Sequence, residues 1–99
     1  MNMPADQAIR RIAHYESMLQ RAEEIISSNA IQQTGEMQEL LRALEAYYTS
    51  DEWKQDFESD QAGLLPADLK RGVLSEDGID HMLDDGREWL SSVSEKEER

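Results

Sequence analysis

Apolar residues recur every three or four positions along the first half of the chain, which is the spacing of amphipathic helices. The first stripe steps by 4, 3, 4, 3 and 4 and consists of Ala8, Ile12, Tyr15, Leu19, Ala22 and Ile26. A second stripe consists of Ile31, Thr34, Met37, Leu41, Leu44 and Tyr48. Only a short polar turn separates the two stripes. The pattern therefore predicts two long helices, the first over residues 4–27, that fold back as an antiparallel hairpin.

The second half of the chain predicts a short helix and a long one. Ser50 is placed to cap the short helix, on which Trp53 and Phe57 share a face. The last helix is predicted to begin at Ser75, and its apolar face comprises Ile79, Met82, Leu83, Trp89, Leu90 and Val93. No stretch alternates with period two, so the predicted fold is all-α. Residues 1–93 are expected to form a single helical domain, and residues 94–99, which lack apolar residues, a disordered acidic tail.

The segment that joins these two helices, residues 64–75, is called the connector below. It contains Pro66 and Gly72 but also five large aliphatic residues, whose ordering costs conformational entropy that only burial recovers. We therefore predict an ordered connector that completes a small bundle. Pro66 is expected to open a helical turn and Gly72 to close it. Leu69 and Leu74 are expected to be buried and to anchor the last helix on the hairpin.

Negative charge dominates the composition and is concentrated after the first helix. The chain carries a net charge of −12, and residues 36–99 hold 18 acids against seven bases, a net of −11. Such a field repels nucleic acid and anionic membranes, and it attracts basic protein surfaces. Cysteine is absent, and no apolar run approaches the length of a membrane span. We expect a cytoplasmic monomer that binds neither membrane nor nucleic acid directly.

The residues that usually carry catalysis or metal binding are sparse. The two histidines, His14 and His81, lie far apart in sequence, and there is no glycine-rich phosphate loop. Asp77, Asp84 and Asp85 surround His81 at helical spacings, but the alternating acids of a calcium loop are missing. A solvated acidic face explains this group better than a metal site does. We expect no enzymatic activity, no metal and no cofactor.

The carboxylates allow two interpretations. Asp80, Asp84 and Glu88 recur every four residues, roughly 6 Å apart along a helix, and Glu52 and Asp56 repeat that spacing. They form either ordinary solvated helix faces or a row that occupies a basic groove in place of DNA phosphates. The second interpretation predicts the following partner-binding residues: Glu52, Asp56, Glu58, Asp60, Asp77, Asp80, Asp84, Asp85 and Glu88.

Two stretches in the middle of the chain carry a family resemblance. They read Tyr47-Tyr48-x-Ser50-x-x-Trp53 and Asp60-x-Ala62-Gly63-x-Leu65-Pro66-x-Asp68-Leu69-Lys70-Arg71-Gly72-Val73-Leu74-Ser75-Glu76-Asp77. This pattern resembles a small bacterial family catalogued as domain of unknown function 4298. The resemblance implies a short helical domain and brings no activity with it. In size and charge alone, the chain is also similar to phage anti-CRISPR proteins that imitate DNA.

Two functional hypotheses follow. The first is an inhibitor that occupies the basic nucleic-acid-binding surface of a partner protein, for example a subunit of a CRISPR effector. The second is a host helical scaffold or protein-interaction module without inhibitory activity, which would use the apolar stripes of the hairpin for association.

Overall fold

Four α-helices make up most of the protein. The computed structural model describes the backbone of residues 4–97 and the side chains of residues 6–93. The helices are α1 (Pro4–Ser28), α2 (Thr34–Tyr48), α3 (Asp51–Gln61) and α4 (Glu76–Glu97), with 3-10 turns at Ile31–Gln33 and Gly72–Leu74. The described residues contain no strand. The prediction of a small all-α bundle is thus confirmed.

The first two helices form the predicted antiparallel hairpin. Arg21 in the second half of α1 pairs with Glu36 near the start of α2 (Nε–Oε2 2.7 Å). Further from the turn, the rings of Tyr15 and Tyr47 stack with their centroids 4.0 Å apart. Asn29 makes the turn possible because it adopts a left-handed backbone conformation (φ 51°), which asparagine tolerates better than most residues.

Helix α4 lies against both helices of the hairpin. It runs parallel to α1, since Val73 just before α4 bonds to Glu16, and the Trp89 indole N–H donates to Asn29 Oδ1 (3.0 Å) at the other end. It approaches α2 closely at Gly86, where an added Cβ would lie 2.5 Å from Leu41 Cδ2. The two helices can therefore pack at this distance only with glycine at position 86.

The core runs along the inside of this three-helix arrangement and is capped by α3 and the connector. Its buried side chains include Ile12, Leu19, Ile25, Met37, Leu44, Tyr47, Trp53, Val73, Leu74, Ile79, Leu83 and Val93. The predicted stripes are largely confirmed, although Tyr15, Thr34 and Tyr48 are only half-buried and two isoleucines differ from the prediction. Ile25 is fully buried where Ile26 is only half-buried, and Ile31 is 39% exposed. Ile31 lies in the first 3-10 turn, so the 3.6-residue period does not extend to it.

Helix α3 begins as the sequence predicts. The hydroxyl oxygen of Ser50 accepts a hydrogen bond from the backbone N–H of Trp53 (3.2 Å), which caps the helix. Trp53 is buried, and Phe57 stacks on it from the next turn. The described part of the chain is a rod that measures 55 × 19 × 19 Å.

The connector is ordered, but its local geometry corrects one prediction. Residues 66–69 form a turn in which the Pro66 carbonyl accepts from the Leu69 N–H (3.2 Å). Gly72 was predicted to close a helical turn, whereas it opens the second 3-10 turn (Gly72–Leu74). The physical reason is long-range, because Val73 in this turn bonds to both α1 and α3, as described below. Leu74 is buried, as predicted, whereas Leu69 is only half-buried.

The two ends of α4 also bear on the sequence predictions. Ser75 lies just before the helix, and its hydroxyl oxygen accepts from the Gly78 N–H (3.1 Å), as expected of a cap. At the other end the helix continues to Glu97, beyond the tail start predicted at residue 94. Residues 98 and 99 of that predicted tail lie outside the described part of the chain.

Candidate partner-binding surface

Four carboxylates on α4 form a single exposed row. They are spaced by three, four and four residues, which keeps them on one side of a helix over roughly 17 Å of its length. This acidic row consists of Asp77, Asp80, Asp84 and Glu88, and all four residues are exposed. The opposite side of the helix is buried in the core through Ile79, Leu83 and Trp89. Packing of the apolar side therefore fixes the acidic row toward solvent.

The start of the acidic row influences a neighbouring side chain on α2. Burial raises the pKa of Tyr48, and the negative charges of Glu76, Asp80 and Asp77 raise it further. The hydroxyl of Tyr48 consequently stays neutral, so it adds no charge of its own to this surface. It is available as a hydrogen-bond donor beside the carboxylates.

Elsewhere in the molecule, arginines neutralise many of the carboxylates. The pairs among the described residues are Arg11–Asp56, Arg11–Glu52, Arg21–Glu24, Arg21–Glu36, Arg42–Glu39 and Arg71–Asp60. On α4, residues 76–88 hold six acids and a single arginine, Arg87. That arginine pairs with Glu45 on α2 (2.7 Å) and approaches Asp84 at 3.6 Å. Within the described part of the chain, Asp77, Asp80 and Glu88 form no ion pair.

Asp56 does not lie on an exposed acidic face, which corrects its prediction as a partner-binding residue. It is only 1% exposed, and its two carboxylate oxygens accept from Arg11 Nε (2.9 Å) and Nη2 (2.5 Å). The hydroxyl of Tyr47 donates to the same carboxylate (2.6 Å). Burial, together with this hydrogen bond, raises the pKa of Tyr47. Asp56 therefore ties α3 to α1 and α2 and is inaccessible to a partner.

Asp60 is likewise engaged within the fold. Its carboxylate accepts from Arg71 Nη1 (2.5 Å), and the same guanidinium donates to the carbonyls of Leu69 and Pro66. Asp60 thus holds the connector against the end of α3. The other two predicted residues of α3, Glu52 and Glu58, are exposed. The acids of α3 consequently do not form a continuous row like that of α4.

Asp85 completes the predicted set, and it faces the side of α4 next to the acidic row. It is half-exposed, and its Oδ2 lies 3.4 Å from His81 Nε2. Over the described residues, no three histidine, aspartate or glutamate side chains converge closely enough to hold a metal ion. His14 lies on the exposed side of α1, with its ring edge-on to Tyr15.

A buried acid that the sequence analysis did not single out, Glu16, organises the connector. Its Oε1 accepts from the backbone N–H of Val73 (2.8 Å), while the Val73 carbonyl accepts from the indole N–H of Trp53 (3.0 Å). Both backbone groups of Val73 are thereby satisfied, one by α1 and the other by α3. The sequence does contain a signal, because Glu16 follows Ile12 by four residues and precedes Leu19 by three, which places it on the apolar side of α1.

The comparisons with known proteins identify a family but no characterised relative. Residues 12–95 match the model of a family described as Domain of unknown function (DUF4298). No curated protein and no solved structure matches the chain. Among the described helices, none is both long and apolar enough to cross a membrane.

Proposed function

Because the chain belongs to the Domain of unknown function (DUF4298) family, which brings no activity with it, we propose a function from the surface of α4. The protein is a small acidic binding protein whose acidic row occupies a basic, nucleic-acid-binding surface on a partner protein. In doing so it inhibits the partner by DNA mimicry. An anti-CRISPR inhibitor of a bacterial CRISPR effector subunit is the concrete version of this proposal.

The observation that carries the proposal is the position of the unneutralised charge. Most arginines of the described chain pair with acids on α1, α2 and α3, whereas Asp77, Asp80 and Glu88 stay exposed and form no ion pair there. Same-sign charges along one helix repel each other and lower the stability of the fold. A basic partner surface would relieve this repulsion on binding.

The spacing of the acidic row also suits a surface that binds DNA. Asp80, Asp84 and Glu88 follow one another at roughly 6 Å along the helix axis. Regularly repeated negative charge is also what a DNA strand presents to a basic protein surface through its phosphates. Because α4 is anchored along its apolar side, the carboxylates are held in place before binding. Complementary charge would then favour fast association, and competition would exclude the nucleic acid.

Charge reversal on the acidic row tests this function. The variant Asp80→Lys/Asp84→Lys/Glu88→Lys changes the net charge by six, and we expect it to abolish binding while the helical content is unchanged. The matched control Glu95→Lys/Glu97→Lys/Glu98→Lys changes the net charge equally at the end of the chain and should affect binding far less. If both variants lose binding to the same extent, the row has no special role.

The partner can be sought by pull-down against basic nucleic-acid-binding proteins, beginning with CRISPR effector subunits. Binding should weaken steeply with added salt, because exposed charges are screened over about 8 Å at physiological ionic strength. The fraction of the partner that binds its nucleic acid should fall in proportion to the fraction that is bound by the inhibitor. A partner that still binds nucleic acid fully in the complex would contradict mimicry.

Two exposed apolar side chains support the second candidate, a helical scaffold or interaction module. Ile31 and Leu64 are the large hydrophobic residues that are exposed among those described, with Leu64 67% exposed. Ile31 lies at the turn of the hairpin, and Leu64 lies beside Ala8 and Arg11 at the opposite end of the rod. An end-to-end scaffold would depend on these two residues. The scaffold function would be favoured over mimicry if Ile31→Ser/Leu64→Ser loses partner binding and the triple charge reversal on α4 keeps it.

A further inference from the structure

A groove of about 410 Å³ runs between α1 and the connector, on the part of the rod where Glu16 meets the connector. Ile9 and Ala13 contribute one apolar wall, and Pro66 and Leu69 the other. Three charged residues, Glu16, Asp68 and Lys70, also line it, and of these only Glu16 is buried. The volume is within the range of small-ligand sites in proteins.

Glu16 is the unusual group in this groove. It is only 9% exposed, and its oxygens accept from the Val73 N–H (2.8 Å) and from Gln20 Nε2 (3.2 Å). A carboxylate can accept about four hydrogen bonds, so its capacity is half used. The other buried acid, Asp56, is neutralised by Arg11, whereas Glu16 forms no ion pair with any residue in the described part of the chain. A buried negative charge without a cation is unfavourable and favours a cationic ligand.

We propose that this groove binds an alkyl cation, namely the side chain of an arginine or lysine from the partner protein. The methylene groups would pack between Ile9, Ala13 and Leu69, and the cationic head would reach Glu16. This inference deepens the proposed function, on which it rests for the basic character of the partner. It adds a site for one particular side chain to the contacts that the acidic row makes.

Lys70 makes the proposal specific. It lines the same groove and is exposed, and it forms no ion pair with the carboxylates of the described residues. As a cation beside the site, it repels a cationic ligand. Lys70→Gln should therefore tighten binding of the ligand by roughly fivefold, which corresponds to about 1 kcal/mol.

The test uses n-butylguanidinium as a mimic of the arginine side chain, and n-butylurea as its neutral counterpart of equal shape. Titration of the isotope-labelled protein should shift the amide resonances of Gln20 and Val73 with n-butylguanidinium. Binding of n-butylurea should be roughly tenfold weaker or more, because the charge-assisted hydrogen bond is missing. Glu16→Gln should remove this preference, while Glu23→Gln, an exposed change on the same helix with the same net charge, should keep it.

Each outcome decides the proposal. Equal binding of the two ligands to the wild-type protein overturns it, and that comparison remains valid even if Glu16→Gln fails to fold. Resonance shifts confined to the acidic row of α4 also overturn it. The triple reversal of Asp80, Asp84 and Glu88 should still bind n-butylguanidinium in the groove. If that variant loses partner binding and does not bind n-butylguanidinium, only the groove proposal is refuted. If it binds n-butylguanidinium and still binds the partner fully, only mimicry is refuted.

Discussion

Two buried carboxylates join parts of the protein that lie far apart in the sequence. Asp56 connects to Arg11, 45 residues earlier, and Glu16 connects to Val73, 57 residues later. The hydrogen bonds that each accepts from the fold lower the cost of its burial, and they do so most completely for Asp56, whose charge Arg11 also neutralises. Removal of one partner would leave the other buried and unsatisfied, so these contacts specify a single arrangement of α3 and the connector.

At the scale of residues, the sequence indicated which positions are acidic but not which of them are internal. Asp56 occurs in a run of acids on α3, and only the proximity of Arg11 and Tyr47, on two other helices, explains its burial. Local spacing carries no information about such distant partners. Glu16 could have been identified from its place between Ile12 and Leu19, but its bond to Val73 could not.

The hydroxyl of Tyr47 gives a prediction that depends on pH. Burial and the hydrogen bond to Asp56 raise the pKa of Tyr47 above its ordinary value. The folded state then holds this proton more tightly than the unfolded state, so the stabilisation is complete below pH of about 10 and is lost as the pH rises beyond it. In Tyr47→Phe, urea unfolding should show a loss of about 1.5–3 kcal/mol at pH 7 and a shallower fall in stability above pH 10.

Tyr15→Phe serves as the control for this measurement. Tyr15 stacks on Tyr47, but it takes no part in the hydrogen bond between Tyr47 and Asp56. The fall in stability above pH 10 should persist in this variant. Identical pH profiles for wild type and Tyr47→Phe would show that the Tyr47 hydroxyl has no influence on the folded state. Part of the fall should remain in Tyr47→Phe in any case, because the pKa of Tyr48 is also raised.

At the scale of elements, the helices were predictable and the connector was predictable only in part. The hairpin, the Ser50 cap and the core side of α4 follow from periodicity and capping preferences, which are local. The 3-10 turn at Gly72–Leu74 was not foreseen, because Glu16 and Trp53 determine it from other helices. The aliphatic content of the connector nevertheless indicated correctly that it is ordered.

Two leucines of the connector test its contribution to stability. Leu74 is 2% exposed and packs in the core, so Leu74→Ala should lower the free energy of unfolding by about 2–5 kcal/mol. Leu64→Ala is the matched control, since Leu64 is largely exposed and its truncation should cost about 0.5 kcal/mol or less. The midpoint of thermal unfolding reports both changes. If Leu74→Ala leaves this midpoint unchanged, the connector acts only as a linker.

Two helical glycines test the approach of α4 to α2. An added Cβ at Gly86 would lie 2.5 Å from Leu41, so Gly86→Ala should force the helices apart and cost about 1–3 kcal/mol. The same added methyl at Gly35 in α2 meets no atom within 4 Å, so Gly35→Ala should stabilise the protein by about 0.4–1 kcal/mol. Chemical denaturation should therefore show a lower free energy of unfolding for Gly86→Ala and a higher one for Gly35→Ala. A stabilising Gly86→Ala would mean that α2 and α4 are not in close contact at this position.

At the scale of the whole molecule, the groove and the acidic row offer two surfaces of different character. The groove side, formed by α1 and the connector, combines apolar walls with Glu16 and Lys70. The α4 side displays the acidic row, and residues 76–88 hold one arginine, Arg87, and no lysine. A basic partner could therefore be oriented by the row and held through one of its side chains in the groove.

The shape and charge together predict a monomer in solution. The apolar sides of α1, α2 and α4 are buried against one another, so they are not free to form a coiled coil with a second copy, and a net charge of −12 opposes association. The radius of gyration is 15.0 Å, above the roughly 13 Å typical of a compact domain of this length. Light scattering should give the 11.4 kDa mass of one chain at micromolar concentration, and small-angle scattering a radius close to 15 Å. A doubled mass would instead favour the scaffold hypothesis, and Ile31→Ser/Leu64→Ser should then restore the monomer.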